Sequence, residues 1–186
     1  MSKKIRPAIP IQHPQLLLDL FETYRPALGP DFDGYRNHCL RMCNYCLAFC
    51  GLGEEHEEKC AIAAVFHDLG IWTDRTFDYL PRSMRLASAY LQESGRNEWI
   101  EEIVTMVSQH HKLKPYQSNP LWLVEPFRKA DLVDISGGLI RYDLNDDFVS
   151  EVLDTFPNAG FHKTLLRLTW KRMKSHPFDP LPMMKW

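Results

Sequence analysis

The sequence predicts an all-α fold built as a single domain. Apolar residues recur at helical spacing in seven segments between residues 34 and 174. No segment shows the sustained alternation of apolar and polar residues that is typical of strands. The chain has 186 residues, 45% of them hydrophobic, which is enough for one domain with its own core. We therefore expect a helical bundle.

Three regions follow along the chain. Residues 1–30 contain five prolines, which allow only a short helix near Gln15–Tyr24, so we expect an arm packed on the domain. Residues 31–176 form the helical domain, and the Pro-rich residues 177–186 form a non-helical tail. The predicted helices of the domain are Gly34–Cys50, Glu54–Leu69, Ser83–Glu93, Glu98–Lys112, Leu121–Ile135, Asp147–Thr155 and Gly160–Lys174.

The second of these helices has the clearest end signals. Its first turn is acidic, its middle is apolar, and Gly70 follows as a helix stop. The segment 71–82 that comes next is a long connection without helical periodicity. Long loops inside compact domains are often functional, so this loop is expected to lie at a site.

Composition excludes several classes of protein. The formal charge is 22 − 24 = −2, so no overall positive field favours a nucleic-acid polymer or an anionic membrane as a partner. The apolar stretches are too short to span a bilayer, and the N-terminus lacks a cleavable leader pattern. Four of the five cysteines lie between residues 39 and 50, which favours reduced thiols and a cytoplasmic location.

His67 and Asp68 fall at the end of the second predicted helix. A carboxylate there faces the negative end of the helix dipole, at a cost of about 0.3–1 kcal/mol, and a bound cation would remove that cost. The alternative is an exposed aspartate beside a histidine that is hydrogen-bonded to a carbonyl group.

Two further polar residues point toward the predicted core. His38 interrupts an apolar stripe on the first helix of the domain, and Asp131 shares a face with Val124 and Phe127. A buried histidine without a functional role would explain the first, and pairing with Arg128 or Lys129 would explain the second. Arg128 lies three residues before Asp131 and would otherwise contact a ligand with it.

Together these positions form the pattern His38, His67-Asp68, Asp131 on three predicted helices. The phrases YRNHCLRM, AAVFHDLGIW and FRKADLVD resemble the HD-domain superfamily of metal-dependent phosphohydrolases over about residues 34–136. The resemblance implies that those four residues bind a divalent metal in an HD-type helical bundle. Two imidazoles and two carboxylates suit Mn²⁺, Fe²⁺, Co²⁺, Ni²⁺ or Zn²⁺, and such a metal activates water for hydrolysis.

His110 and His111 continue the stripe of Ile103 and Val107, so at least one imidazole is expected to reach the same pocket. Many HD proteins have a histidine here, whereas their dinuclear members use an additional one earlier in the chain. No histidine lies between His67 and His110. We therefore expect one metal ion per chain, with His110 or His111 acting as outer ligand, acid/base or phosphate contact.

Other candidates lie beside these. Asp74, in the loop after the HD pair, is a candidate base by a loose resemblance to bacterial HD nucleotidases; a solvated loop residue is the alternative. Lys112 and Lys114 follow the double histidine and would neutralise a phosphate. Alternatively, they lie at an exposed helix end, which favours positive charge.

Cys39, Cys43 and Cys46 have the spacing of an iron–sulfur motif. With Cys50 they follow one helix face, which predicts packing instead.

The predicted function is hydrolysis of a small phosphate ester, with nucleotides among the candidates, by metal-activated water. Two other reactions fit the same scaffold: hydration of a small nitrile-like molecule and oxygenation through iron. A noncatalytic regulatory module with a structural metal is the third hypothesis. The sequence does not indicate the oligomeric state.

Overall fold

The computed structural model describes residues 12–178 and Met183. Within these residues the chain forms nine α-helices and no β-strand, which confirms the all-α class. Two single 3₁₀ turns, Gly29–Asp31 and Asn97–Trp99, precede α2 and α6. The helices are α1 Gln15–Leu28, α2 Phe32–Cys50, α3 Glu54–Phe66, α4 Gly70–Thr73, α5 Leu80–Glu93, α6 Ile100–Gln109, α7 Val124–Ile135, α8 Asp146–Thr155 and α9 Phe161–Ser175.

Several helix ends differ from the sequence prediction. α1 continues through Pro26 to Leu28, because this proline lies in the last turn and the Gly29 amide still closes the helix on the Arg25 carbonyl. α5 begins at Leu80, before Pro81, which suits the first turn of a helix. α6 ends at Gln109 and α7 begins at Val124, so both are three residues shorter at those ends than predicted.

The core is built around α2. Fifteen of its nineteen residues are buried, because α3, α7 and parts of α1, α8 and α9 pack around it. A helix that is enclosed on every side belongs to the interior of a domain. Its polar residues therefore need partners inside the protein. They include Asn37, His38, Arg41 and Asn44.

The two ends of the chain are described in part. Leu17 and Phe21 of α1 are buried in the main core. Residues 1–11 of the predicted arm, and all of the tail after residue 178 except Met183, lie outside the described residues. Met183 is buried against Ile71 and Tyr79. Across the described ranges, no helix is long and apolar enough to cross a membrane.

The turn after α3 differs from the predicted one. The helix ends at Phe66 rather than Leu69, and Gly70 is the first residue of α4 instead of a left-handed helix stop. A glycine is still needed, for a different reason. A Cβ atom at this position would lie 2.8 Å from the Tyr79 carbonyl oxygen and 3.2 Å from the Ser83 nitrogen. The absence of a side chain thus lets the start of α5 pack directly against the turn that carries His67 and Asp68.

We expect Gly70→Ala to lower the free energy of unfolding by about 1–3 kcal/mol, the usual cost of an overpacked interior position. Chemical denaturation measures the change. Gly53→Ser is the matched control, because a Cβ there meets no atom closer than 4.0 Å and serine is favoured at a helix N-terminus. Equal stability of Gly70→Ala and the parent chain would contradict this account of the turn.

Candidate metal centre

The four residues of the predicted metal site lie together between α2, α7 and the turn after α3. His38, His67, Asp68 and Asp131 are each at most 4% exposed. His38 Nε2 lies 3.1 Å from His67 Nε2 and 3.8 Å from Asp131 Oδ1. His67 Nε2 lies 3.4 Å from Asp68 Oδ2. Donor atoms from three separate segments thus meet at one buried point.

Hydrogen bonds at the Nδ1 atoms fix the ring orientations of His38 and His67. His67 Nδ1 lies 2.7 Å from the Ala64 carbonyl oxygen, which only accepts, so this nitrogen carries the proton. His38 Nδ1 lies 2.6 Å from Asp134 Oδ2 and donates to that carboxylate. Burial lowers the pKa of His38 to about 4, so its Nε2 is a free lone pair at neutral pH. Both Nε2 atoms are therefore presented as ligands for a shared cation.

Asp134 supports this arrangement, although the sequence analysis did not assign it. It is fully buried, and the Arg41 guanidinium donates to both of its oxygens, with Nη2 at 2.8 Å from Oδ2. Burial would raise the pKa of Asp134, but hydrogen bonds from Arg41 and His38 lower it to about 2. The ionised carboxylate holds His38 in place. Its spacing of three residues from Asp131, on one face of α7, was the available signal.

Several buried acceptor atoms at the site have no hydrogen-bond donor. Asp68 Oδ1, Asp131 Oδ1 and His110 Nε2 are buried without a hydrogen-bond partner. Burial, together with the charges of Asp68 and Asp134, raises the pKa of Asp131 to about 7 although His110 acts against it. Buried polar atoms in native proteins are nearly always paired. The unpaired atoms and clustered carboxylates fit a divalent cation.

His110 and His111 differ in their surroundings. His110 is buried, donates from Nδ1 to the Val107 carbonyl oxygen at 2.6 Å, and points Nε2 toward Asp68 Oδ1 at 3.4 Å. His111 is partly exposed, and its Nδ1 lies 3.7 Å from Asp131 Oδ2. Partial burial of the ring and the nearby His110 hold the pKa of His111 well below its usual range.

Tyr79 is a second residue that the sequence analysis did not assign. Its hydroxyl group contacts His111 Nε2. Burial and the charge of Asp68 hold the pKa of Tyr79 well above 10, so the phenol beside this nitrogen stays uncharged. The tyrosine lies in the predicted functional loop, 11 positions after Asp68, but nothing in its sequence context separates it from a core aromatic residue.

The family model described as HD domain matches residues 35–136, which is more than half of the chain. The chain belongs to the HD-domain family. Members of this family are generally metal-dependent phosphohydrolases. Comparisons with curated proteins and with solved structures gave no match. At this centre, two overlapping groups of described residues could hold a metal ion: His38 with His67 and Asp68, and Asp68 with His110 and His111.

A cavity of about 250 Å³ adjoins the metal centre of the HD domain. Asp68, Asp131, His110 and His111 form its polar wall, and Lys112 is the one lysine or arginine among its described lining residues. The rest of the wall is largely apolar and comes from α4, α7, α9 and the loops between them. It includes Ile71, Phe77, Leu113, Leu132, Ile135, Leu165 and Met183.

Two predicted site residues lie outside the described lining of this cavity. Asp74 Oδ1 is 3.6 Å from charged nitrogens of both Arg82 and Arg85. Arg128 forms two hydrogen bonds of 2.8 Å with Glu125 and one of 2.9 Å with the Lys112 carbonyl oxygen. The HD domain thus brings together the four predicted ligands, both histidines and Lys112, while Asp74 and Arg128 bind other protein groups.

Proposed function

We propose that this HD-domain protein is a phosphohydrolase that binds one divalent metal ion through His38, His67, Asp68 and Asp131. One observation carries the proposal. Unpaired, buried ligand atoms lie at the wall of a cavity in which Lys112 is the one lysine or arginine among the described lining residues. The metal, which is Mn²⁺, Fe²⁺, Co²⁺, Ni²⁺ or Zn²⁺ on the basis of its ligands, supplies a more acidic bound water and polarises the phosphoryl group.

The chain's own residues have separate roles in this proposal. Asp134 and Arg41 hold His38 in position from the side opposite the cavity. His110 directs Nε2 to the metal centre as an outer ligand. His111 borders the cavity in contact with Tyr79, and its neutral ring would take a proton from the attacking water and give it to the leaving alcohol. We assign this step to His111 rather than Asp74, because Asp74 is paired with two arginines outside the cavity.

The cavity also supports a proposal for the substrate. Lys112 would attract the phosphate, and Arg128, which binds the Lys112 carbonyl group, would position that segment. Beyond the polar wall, the lining offers mainly aliphatic and aromatic side chains, with few partners for sugar hydroxyl groups. We therefore propose a phosphate ester whose alcohol part is compact and apolar, in preference to a nucleotide.

Elemental analysis followed by activity assays tests the function. Anaerobically purified protein should contain about one metal ion per chain. After each metal is restored separately, a small aryl phosphate should be hydrolysed faster than a nucleoside monophosphate of similar reactivity. Metal binding without hydrolysis of any phosphate ester would reject the phosphohydrolase and favour a hydratase, an oxygenase or a regulatory module.

A two-metal enzyme is the second candidate function. The observation that favours it is the position of Asp68, which belongs to both potential metal groups and lies 3.4 Å from a ring nitrogen of His67 and of His110. A carboxylate in that position could bridge two ions, as an iron-dependent oxygenase would require. The contact between Tyr79 and His111 Nε2 favours the one-metal proposal, because it engages one of the two ring nitrogens with which His111 could hold a second ion.

The compartment and partners are part of the same proposal. All five cysteines are free thiols, which is typical of a reducing compartment, and we propose a cytoplasmic location. The net charge of −2 gives no general attraction for nucleic-acid polymers. A small molecule is therefore the proposed partner.

Lys112→Ala should raise KM for a phosphate ester by about 10-fold while changing kcat less, because a hydrogen bond to a charged group contributes about 1.5–3 kcal/mol and this lysine is partly exposed. The effect should shrink in salt. Lys114→Ala is the control, since this exposed lysine is not among the residues that line the cavity. Steady-state kinetics of both variants at two salt concentrations make the comparison. Equal KM values in the two variants would remove Lys112 from the substrate site.

A further inference from the structure

Three thiols meet at a second point between α2 and α3. Cys46 and Cys50 lie one turn apart on α2, and Cys60 faces them from α3. Their sulfur atoms all lie within 4.8 Å of one another, and the Sγ atoms of Cys46 and Cys60 are 3.1 Å apart. At 1.5 Å per residue, Cys46 is about 12 Å along α2 from His38, so this cluster is separate from the HD centre.

The arrangement differs from ordinary packing of cysteines. Cys39 donates its thiol proton to the Ala64 carbonyl oxygen at 2.9 Å, as a buried cysteine commonly does. In the cluster the thiols face each other instead, and the Cys60 thiol donates to Cys46 Sγ at 3.1 Å. Three sulfur atoms that converge on one point offer soft ligands rather than a space-filling surface.

The cluster holds thiol protons that a metal ion could displace. The Cys60 thiol donates to Cys46 Sγ, and the Cys50 thiol donates to the Gly51 carbonyl oxygen at 3.5 Å. Cys50 is partly exposed, so a metal ion can reach the cluster from solvent and replace these protons.

We propose that Cys46, Cys50 and Cys60 bind a thiophilic cation, Cu⁺ or Zn²⁺, with release of their thiol protons to solvent. Three thiolates complete a trigonal Cu⁺ site, whereas Zn²⁺ would take a fourth ligand on the exposed side. His56 is a candidate for that ligand, because its Nδ1 lies 3.1 Å from the Gly51 carbonyl oxygen and can donate there, which leaves Nε2 as an acceptor.

Cobalt titration of the full, reduced chain under anaerobic conditions tests the site. Thiolate ligands give Co²⁺ an intense charge-transfer absorption in the near ultraviolet, and the His and Asp ligands of the HD centre do not. We expect this absorption in the parent chain and its loss in Cys50→Ser, which changes the most accessible of the three thiols. Cys60→Ser should lose it as well. Cys43→Ser is the matched control and should keep it, since Cys43 is buried on α2 outside the cluster.

Titrations with Cu⁺ and with Zn²⁺, each against a chromophoric chelator, identify the cation. The parent chain should bind one more equivalent of the preferred ion than Cys50→Ser, and His56→Ala should weaken Zn²⁺ binding without weakening Cu⁺ binding as much. No thiolate absorption in the reduced parent chain would overturn the proposal. The same would follow from equal binding of both ions to the parent and to a folded Cys50→Ser chain.

Discussion

His67→Ala and Asp68→Ala are expected to lose most of the metal bound at the HD centre. Each change removes one of four proposed protein ligands from a buried point at which the remaining donor atoms have few other partners. Loss of an outer partner of a metal ligand typically weakens binding about 10–100-fold, so loss of a ligand itself should exceed that range. Hydrolysis should fall with the metal content. Elemental analysis after dialysis and a metal titration measure how tightly each variant binds the metal.

The matched control for these variants is Asp74→Ala. It also removes a carboxylate close to the HD pair in sequence, but its side chain is paired with Arg82 and Arg85 outside the cavity. This variant should keep its metal. Circular dichroism of all three proteins verifies that the helices remain folded. Stoichiometric metal in folded His67→Ala and Asp68→Ala chains would refute the assignment of the centre.

The second large effect separates two adjacent histidines. We expect His111→Ala to lower kcat by about 10²–10⁴, the scale of acid/base assistance, while the metal content stays near one per chain. His110→Ala should instead weaken metal binding, because the unpaired Nε2 atom of His110 points at Asp68. The two variants should therefore be distinguishable. His111→Ala lowers turnover while the metal site stays full, and His110→Ala lowers the metal content itself.

Tyr79→Phe tests the positioning part of that account. It removes the hydroxyl group that contacts His111 Nε2 and keeps the aromatic ring in the core. Turnover should fall less than in His111→Ala, and the pH profile of kcat should shift, because the ring loses the hydroxyl group that hydrogen-bonds to Nε2. Metal content should not change. Identical kinetics of His111→Ala and the parent chain would exclude proton transfer by His111.

The fold class and the metal ligands could be predicted from the sequence because both leave local signals. Amphipathic spacing identifies helices such as α5 and α6 without knowledge of their neighbours. His38 and Asp131 each interrupt an apolar stripe, so their inward direction follows from helix geometry alone. The HD pair adds a family motif. Together these signals specify three segments that must converge if one cation is to satisfy them.

The supporting residues could not be predicted in the same way. Arg41 and Asp134 are 93 positions apart, and their pairing depends on how α2 and α7 pack. Tyr79 reaches His111 from a loop whose path is set by the close contact at Gly70. The helical spacing of the α2 cysteines predicts that Cys50 packs, and it gives no sign of the neighbouring sulfur of Cys60, which comes from another helix. Each of these contacts arises from tertiary structure and has no local sequence pattern.

Met183 lines the cavity beside the metal centre although it lies more than 45 positions after the last of the proposed ligands in the sequence. Its side chain forms part of the cavity wall and packs on Ile71 and Tyr79, the tyrosine that contacts His111. A truncation before residue 183 would therefore open this wall to water and withdraw support from Tyr79. Assays of substrate preference should accordingly use protein that keeps Met183.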